Sequence, residues 1–254
     1  MKKPLLPAAA AALFFSATSA MADTGNTGPE LMIRGGYGGA GSESPIQVKP
    51  GAPLASPPGA LLKGESPYGG GLTGQISLGY RFHPLFSAGL QATQRGGEPG
   101  ATPKQMSDGT SANRNSWGAG FYLRAYPLAV APGIKRYVDP WVSLGVGYTL
   151  DQQKYDQEVA TNNGGKVRAR TTLDHHGIAI PVGIGLDYRV LPILSVGPSF
   201  EYALVQSAGA CMSTTAPGYV GTSYCTNGEP GASILEGKSY GVWSAALNIK
   251  LTPF

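Results

Sequence analysis

The sequence predicts an all-β protein, an eight-stranded antiparallel transmembrane β-barrel with long extracellular loops and short periplasmic turns. Three observations predict this fold class. Eight segments alternate apolar and polar residues with a period of two, short and long connections alternate between them, and a short export signal precedes the first segment. A two-residue period with one apolar and one polar face is typical of strands that contact lipid on one side and a polar lumen on the other.

The N-terminus has the pattern of a cleaved export signal. Lys2 and Lys3 precede an apolar stretch over residues 5–15, and Ala20-Met21-Ala22 supplies the small residues of a cleavage site. The apolar stretch is too short to span a membrane and small residues follow it, which argues against an anchor. We therefore expect a signal peptide over residues 1–22 and one mature barrel domain over residues 23–254.

The charge of the chain indicates little about its partners. The formal charge is +4, and removal of Lys2 and Lys3 leaves 17 basic and 15 acidic residues, a charge of +2. The sequence has no dense stripe of lysine and arginine, so nucleic acid is not an expected partner. No later segment is apolar for long enough to be a transmembrane helix, which fits export followed by insertion as a barrel.

The first four predicted strands are Leu31–Gly39, Leu72–Phe82, Phe86–Arg95 and Ser116–Tyr126. One face of each strand is apolar, and we expect that face to contact lipid. In strand order it includes Ile33 and Tyr37; Ile76, Leu78 and Tyr80; Leu90 and Ala92; and Trp117, Phe121 and Leu123. The opposite face, expected to line the lumen, includes Arg34, Gln75, Arg81, Gln91, Thr93 and Arg124.

The other four predicted strands are Val142–Leu150, Gly177–Val190, Leu194–Leu204 and Gly241–Leu251. Their apolar faces include, in strand order, Leu144, Val146 and Tyr148; Ile180, Val182 and Ile184; Phe200 and Tyr202; and Trp243, Leu247, Ile249 and Leu251. Their polar faces include Asp187, Arg189, Glu201 and Lys250. Most of the eight segments have the roughly 9–11 residues that a tilted strand needs to cross a bilayer.

The connections predict the topology. His83-Pro84-Leu85 joins the second and third strands, Leu191-Pro192 joins the sixth and seventh, and residues 127–141 form an intermediate link. The links over residues 41–71, 96–115, 151–176 and 205–240 are long and polar. This alternation places short turns in the periplasm, long loops at the cell surface and both termini in the periplasm.

Aromatic residues are predicted to form two bands at opposite ends of the strands, as in interfacial girdles. One band includes Tyr80, Phe82, Phe86 and Tyr188, and the other includes Tyr37, Trp117, Tyr148 and Tyr202. The alternative fold is a soluble β-sandwich or lipocalin-like barrel, whose strands are shorter and whose apolar faces point inward to a core.

These features resemble the small outer-membrane β-barrel superfamily of the OmpA and OmpX type. The resemblance is carried by the export signal, the alternating strands, stretches such as Leu78–Phe82 and the terminal Phe254. It implies residence in the outer membrane, contact with outer-membrane lipid and lipopolysaccharide, and recognition by the barrel-assembly machinery. The assembly signal would comprise Trp243, Leu247, Ile249, Leu251 and Phe254.

The chain departs from the pattern of that superfamily in two ways. Pro253 interrupts the ladder, and Phe254 is out of phase with the lipid-facing Leu251, so the assembly signal is imperfect. We also expect no periplasmic domain after the barrel, so the peptidoglycan-anchoring role of OmpA-type proteins is not implied.

The polar faces place charged residues in the expected lumen. They are Arg34, Arg81, Arg124, Asp187, Arg189, Glu201 and Lys250. Because an eight-stranded barrel is just wide enough for its own side chains, we expect an ion-paired network that fills the lumen. The alternative is a narrow pore that favours anions, since the cations at 81, 124, 189 and 250 lie towards the periplasmic mouth.

Two further pairs of residues need an interpretation. His175 and His176 suggest catalysis or metal binding, but no completed constellation accompanies them, and adjacent strand residues point to opposite faces. We expect an ordinary pair where a surface loop enters the sixth strand, with no catalytic residues, no metal site and no cofactor. Cys211 and Cys225, the only cysteines, are expected to form a disulfide within the last long loop of this exported chain.

The sequence favours a non-enzymatic integral outer-membrane protein with a structural or surface-binding role through its extracellular loops. We expect a monomer, and the pattern does not identify the surface ligand. One alternative is a narrow passive channel for small polar or anionic solutes. Another is a lipid-modifying outer-membrane enzyme, which would need a placed Ser-His-acid set in the barrel wall.

Overall fold

The structure is a computed structural model that describes residues 27–40, 46–48, 70–97, 111–129, 137–160, 165–217, 219–226, 235–237 and 239–252. These ranges contain eleven strands. They are β1 (Gly28–Ala40), β2 (Ile46–Val48), β3 (Gly71–His83), β4 (Phe86–Gly97), β5 (Ser111–Ala125), β6 (Val138–Ala160), β7 (Lys166–Leu191), β8 (Leu194–Ala216), β9 (Tyr219–Cys225), β10 (Leu235–Gly237) and β11 (Tyr240–Leu251). Across these ranges, no helix has the length and apolarity to cross a membrane.

The strands close into a ring of eight. Their order is β11-β1-β3-β4-β5-β6-β7-β8, and β8 pairs again with β11, every pairing being antiparallel. The strand β9 adds to the outer end of β8, and β2 pairs with β10 in a separate two-stranded sheet. The predicted fold class is confirmed. Closure of the ring leaves no strand of the sheet with an unpaired edge at membrane depth.

The side chains alternate across the barrel wall with the predicted phase. In β11, Leu247 is 64% exposed on the outer surface, whereas its neighbour Asn248 is 0% exposed in the lumen. The same alternation runs through β3 and β7, where Leu78 and Val182 point outward and Ser77 points inward. Lipid stabilises an exposed apolar belt around a polar interior, whereas water does not. The soluble β-sandwich or lipocalin-like alternative is therefore excluded.

The strands β6, β7 and β8 are much longer than predicted. The links over residues 151–176 and 205–240, expected to be loops, are in large part strand, since β6 runs to Ala160, β7 begins at Lys166 and β8 runs to Ala216. Those loop assignments were wrong because the ladder continues beyond the apolar belt. Outside hydrocarbon both faces of a strand can be polar, so the apolar period disappears although the hydrogen bonds persist.

A proline interrupts one ladder of the ring without opening it. The pairing of β6 with β7 stops at Leu144–Val182 and resumes at Gly147–Ala179, with Pro181 between. The two intervening pairings both need the amide N–H of residue 181, which proline lacks. Pro181 is buried on the lumen side, where the protein interior covers this part of the backbone.

Candidate functional site

The periplasmic half of the lumen is filled around a single tryptophan. Trp141 is 1% exposed, and its indole N–H donates a hydrogen bond to Asp187 at 3.0 Å. The guanidinium carbons of Arg34 and Arg124 lie 5.0 and 4.6 Å from its ring. Both distances are within the range of cation–π attraction, so the indole links two buried cations and one carboxylate.

Ion pairs extend this lumen cluster across the barrel. The Nη1 atom of Arg34 lies 2.8 Å from Glu201, and the ammonium of Lys250 pairs with Asp187. Arg124 lies 3.9 Å from Glu30 and Arg81 lies 3.9 Å from Asp139. Each buried cation thus has a carboxylate neighbour, as expected of charges removed from water.

Tyr126 joins the pairs at the periplasmic end of the cluster. Its hydroxyl donates to the carboxylate of Glu30 at 3.1 Å. The guanidinium of Arg81 lies 3.8 Å from the centre of its ring, and the ammonium of Lys250 lies 4.9 Å from it. The ring of Tyr126 is 0% exposed, so the cluster excludes solvent at this level.

The structure buries six of the charged residues proposed for the lumen: Arg34, Arg81, Arg124, Asp187, Glu201 and Lys250. Arg189 is only half-buried, and its backbone amide donates to the carbonyl of Tyr137 at 2.7 Å. Sequence reasoning missed Glu30, Asp139 and Trp141 as members of the cluster. They continue the lumen faces of β1 and β6 beyond the predicted strand ends, and that continuation is the signal that could have identified them.

The additional acids change the electrostatics expected of the lumen. The anion-favouring pore depended on an excess of cations near the periplasmic mouth. Glu30 and Asp139 now face two of those cations, so the pairs are close to neutral. A lumen filled by paired charges and aromatic rings favours closure over conduction.

A small cavity lies above the lumen cluster, towards the cell surface. Its volume is about 30 Å³, room for about two water molecules. Polar side chains line it, including Gln91, Thr93 and Glu201. Small residues such as Gly120 and Ala203 also line it, so this level of the lumen is less filled than the level below.

The extracellular neck of the lumen brings a histidine and a serine together. The Nε2 atom of His175 lies 3.0 Å from Oγ of Ser207, and the imidazole stands edge-on to Tyr240 at 5.3 Å. The hydroxyl of Tyr240 donates to Asp151 at 3.4 Å. Ser207 is on the lumen side like Ala203 and Val205, and a register shift just beyond it, where Gly177 pairs with Ser207 and His176 with Gly209, forms a β-bulge in β8.

The expected position of the histidine pair was wrong. Both residues lie within β7 rather than in a loop, because the strand begins at Lys166. They do point to opposite faces: His175 is 2% exposed in the neck, and His176 lies on the outer wall, 6.0 Å from the ring of Tyr148. The neck places a Ser-His contact near Asp151 that the sequence spacing did not reveal.

The predicted disulfide is confirmed. Cys211 of β8 is bonded to Cys225 of β9, with 4.1 Å between the Cα atoms. Backbone bonds flank it, since the amide of Thr226 donates to the carbonyl of Ala210 at 2.8 Å. The last long connection therefore begins as a covalently closed β-hairpin, which we call the stapled hairpin (β8 from Ala210, and β9).

Two other predictions fall outside the described residues. These are the signal peptide over residues 1–22 and the terminal Phe254. The remaining residues of the proposed assembly signal, Trp243, Leu247, Ile249 and Leu251, lie on the outer face of β11. Their role in assembly stays a prediction.

Comparison with known proteins gives the family. A family model described as outer membrane protein beta-barrel domain matches residues 8–223. Comparison with curated proteins returned no match.

Three solved structures are among those similar to this chain, and the first of them shares its fold. A major outer membrane protein from Thermus thermophilus is 11% identical, with a TM-score of 0.52 over 87% of this chain and 99% of that chain. OprG from Pseudomonas aeruginosa is 17% identical, with a TM-score of 0.46 over 90% and 98%. Neisserial surface protein A is 13% identical, with a TM-score of 0.44 over 91% and 98%. The ring of strands, the exposed apolar belt and the matched residues together show that the chain belongs to the outer-membrane β-barrel protein family and resides in the outer membrane.

Proposed function

We propose that this protein is a closed, non-enzymatic barrel that anchors extracellular hairpins for surface binding. The filled periplasmic half of the lumen carries the proposal. Trp141, Arg124 and Tyr126 are each at most 2% exposed and contact one another through cation–π and hydrogen-bond interactions. An eight-stranded barrel filled in this way serves as an anchor, because solute would have to displace paired charges from a low-dielectric interior.

The extracellular hairpins are ordered enough to act as a recognition surface. The ladder of β6 with β7 continues from Leu150 to Ala160, well beyond the apolar belt. The stapled hairpin stands beside it on the same side of the barrel. Ordered strands lose less conformational entropy on binding than flexible loops do, so these hairpins are suited to bind a partner.

A narrow channel is the second candidate, and the small cavity favours it. Arg95 lies 3.9 Å from Glu201, which also holds Arg34 at 2.8 Å. If Arg34 and Arg95 exchange their contacts with Glu201, the cavity becomes connected with the lumen above and below it. This candidate requires the lumen cluster to open as well.

Conductance of refolded protein in planar bilayers separates the two candidates. The anchor proposal expects no stable conductance from the wild type and new conductance from Trp141→Ala, which removes the largest side chain of the cluster. Trp117→Ala is the matched control, because Trp117 is 51% exposed on the lipid side. Stable, solute-dependent openings of the wild type would overturn the anchor and favour the channel.

The serine–histidine contact gives the enzymatic alternative a direct test. His175 is 2% exposed and belongs to a neck that also holds Tyr240 and Asp151, which indicates a structural polar network. We expect a fluorophosphonate probe to leave Ser207 unlabelled in folded protein. Labelling that disappears in both Ser207→Ala and His175→Ala would indicate an activated nucleophile and contradict the non-enzymatic assignment.

A further inference from the structure

One edge of the Arg34 guanidinium has no protein partner inside the filled lumen. Its Nη1 atom uses both hydrogens, in contacts of 2.7 Å with Oε1 of Gln75 and 2.8 Å with Glu201. Its Nε and Nη2 atoms are buried, and neither has an acceptor among the described residues. Because a guanidinium has five N–H donors, the three on this edge are left for a ligand.

Asn248 adds a second buried donor without a partner. It lies directly opposite Arg34 in the pairing of β1 with β11, and its side chain is 0% exposed in the lumen. Its side-chain oxygen accepts a hydrogen bond of 2.6 Å from the hydroxyl of Ser199 on β8, whereas its Nδ2 group has no acceptor in the part of the chain that the structure describes. Since β8 holds the oxygen of this planar amide, the nitrogen is left towards β1 and Arg34.

The two side chains together present donors only. The acceptors next to them already have donors, since Gln75 and Glu201 both accept from Arg34. Trp141, 5.0 Å from Arg34, offers an N–H group, which it donates to Asp187. A water molecule here would also have to donate its own hydrogens. An anion only accepts, so its chemistry matches a set of buried donors that includes a cation.

The charges around this edge favour an anion as well. Arg34 and Arg124 lie 5.0 and 4.6 Å from the same indole ring, and the buried Nε atom of Arg124 also has no acceptor among the described side chains and backbone. The carboxylate of Glu201 pairs with Arg34 but also faces Arg95 at 3.9 Å. A negative ion beside Arg34 reduces the repulsion between these buried cations.

The lumen wall above the donors carries short side chains. In the next row towards the cell surface, Gly36 is opposite Ala246, and Ala246 is opposite Ser199. Further round the wall, the ring of Trp141 lies over Gly185. The short side chains leave room beside the guanidinium, and the indole limits that room to a small ligand.

We propose that the free edge of Arg34 and the amide of Asn248 bind one small monovalent anion of the halide class, such as chloride. The same guanidinium edge binds an anionic group elsewhere in this molecule, where Nε and Nη2 of Arg170 contact Asp156 at 2.7 and 3.0 Å. Such charge-assisted bonds are stronger than those between neutral groups. The inference goes beyond the surface-binding role and does not depend on it.

The first test measures urea unfolding in lipid vesicles while gluconate, an anion too large for the site, replaces chloride at constant ionic strength. Above the dissociation constant, each tenfold rise in free chloride should raise the equilibrium constant for folding about tenfold, because only the folded lumen binds the ion. Equal stability in chloride and gluconate would overturn the proposal.

The matched variants are Arg34→Lys and Arg95→Lys. A lysine at position 34 keeps the charge that faces Glu201 but lacks the second edge of the guanidinium, so the chloride dependence should disappear. The same replacement at position 95 changes the other arginine of Glu201 and should leave the chloride dependence intact. A chloride response that survives in Arg34→Lys would contradict the assignment, and heat-modifiable migration in gels checks that each variant is folded.

Bromide makes the site directly visible in the wild type. Anomalous diffraction from crystals grown in sodium bromide should show a peak within hydrogen-bond reach of Nε and Nη2 of Arg34 and Nδ2 of Asn248. Bromide found only as an adventitious ion on the exposed surface would show that water solvates these donors and would overturn the proposal. The anchor proposal is tested by conductance and would survive any of these results.

Discussion

At the scale of single residues, the lumen is stabilised by buried charges that depend on their partners. Lys250 and Asp187 are 3% and 2% exposed and form an ion pair. Trp141 adds a hydrogen bond to the same carboxylate. Such a pair adds little net stability compared with apolar residues of similar volume, but the loss of one partner leaves an uncompensated charge in a low-dielectric interior.

Asp187→Asn should therefore destabilise the barrel by about 3–5 kcal/mol, measured by urea unfolding in lipid vesicles. The double variant Asp187→Asn/Lys250→Met removes the orphaned charge and should recover much of that loss. If the single variant is as stable as the wild type, solvent reaches the pair and the lumen is not filled at this level.

The ion pairs of Asp156 with Arg170 and Arg168, on the outer wall above the apolar belt, predict a pH dependence of the β6–β7 hairpin. Hydrogen bonding and charge from Arg170 hold the pKa of Asp156 below its ordinary value. The stabilisation is therefore present in full above the ordinary aspartate pKa of about 3.9, and it is lost as pH falls through the lowered folded-state pKa. Amide hydrogen exchange near residues 156 and 170 should accelerate over that acidic range in the wild type. In Asp156→Asn the exchange should be fast throughout and lack this step.

At the scale of elements, β8 and its extension combine two environments in one strand. The segment from Leu194 to Leu204 has the alternation that predicted a membrane strand, with Phe200 and Tyr202 outward and Glu201 inward. Beyond Ser207 the bulge reverses the phase, and Ala210 and Met212 become the buried residues. A prediction that relies on a fixed period of two ends the strand at such a bulge, because one inserted residue moves every later side chain to the other face.

The stapled hairpin should be separable from the barrel. Reduction of Cys211–Cys225 should loosen β9 while the ring stays folded, because ring stability comes from the closed ladder and the lipid-facing area. Proteolysis in the hairpin should increase on reduction, and heat-modifiable migration should not change. Loss of the folded gel band on reduction alone would show that the staple also supports the ring.

At the scale of the whole molecule, the sequence predicted the ring far better than the ends of its strands. Inside the membrane one face of each strand contacts lipid and the other faces the polar lumen. The residue type therefore indicates which way a side chain such as Leu247 or Asn248 points. Above the membrane that contrast vanishes, and the sequence could not show that His175 lies in a strand. The lumen cluster was predicted in its charged residues but not in Trp141, whose contacts come from three different strands.

The lipid-facing belt offers a test of the whole architecture. Leu247→Arg, near the middle of β11, should cost about 2–4 kcal/mol of folding free energy in vesicles. The matched change Leu72→Arg, at the outer end of β3, should cost about 0–1 kcal/mol, because arginine reaches the interface there. Equal costs would show that the two leucines lie at the same depth, which contradicts the register of the ring.

The staple between Cys211 and Cys225 has a consequence for the biogenesis of the protein. The periplasm is an oxidising compartment in which disulfides form, and the chain passes through it on its way to the outer membrane. If the staple forms there, the two strands of the hairpin are already cross-linked when they leave the periplasm. The hairpin must then cross as two tethered strands side by side, which is wider than a single extended chain. Insertion of β8 beside β11 therefore requires an opening wide enough for a closed loop. The pairing of β8 with β11 can be completed only after that loop has crossed the membrane.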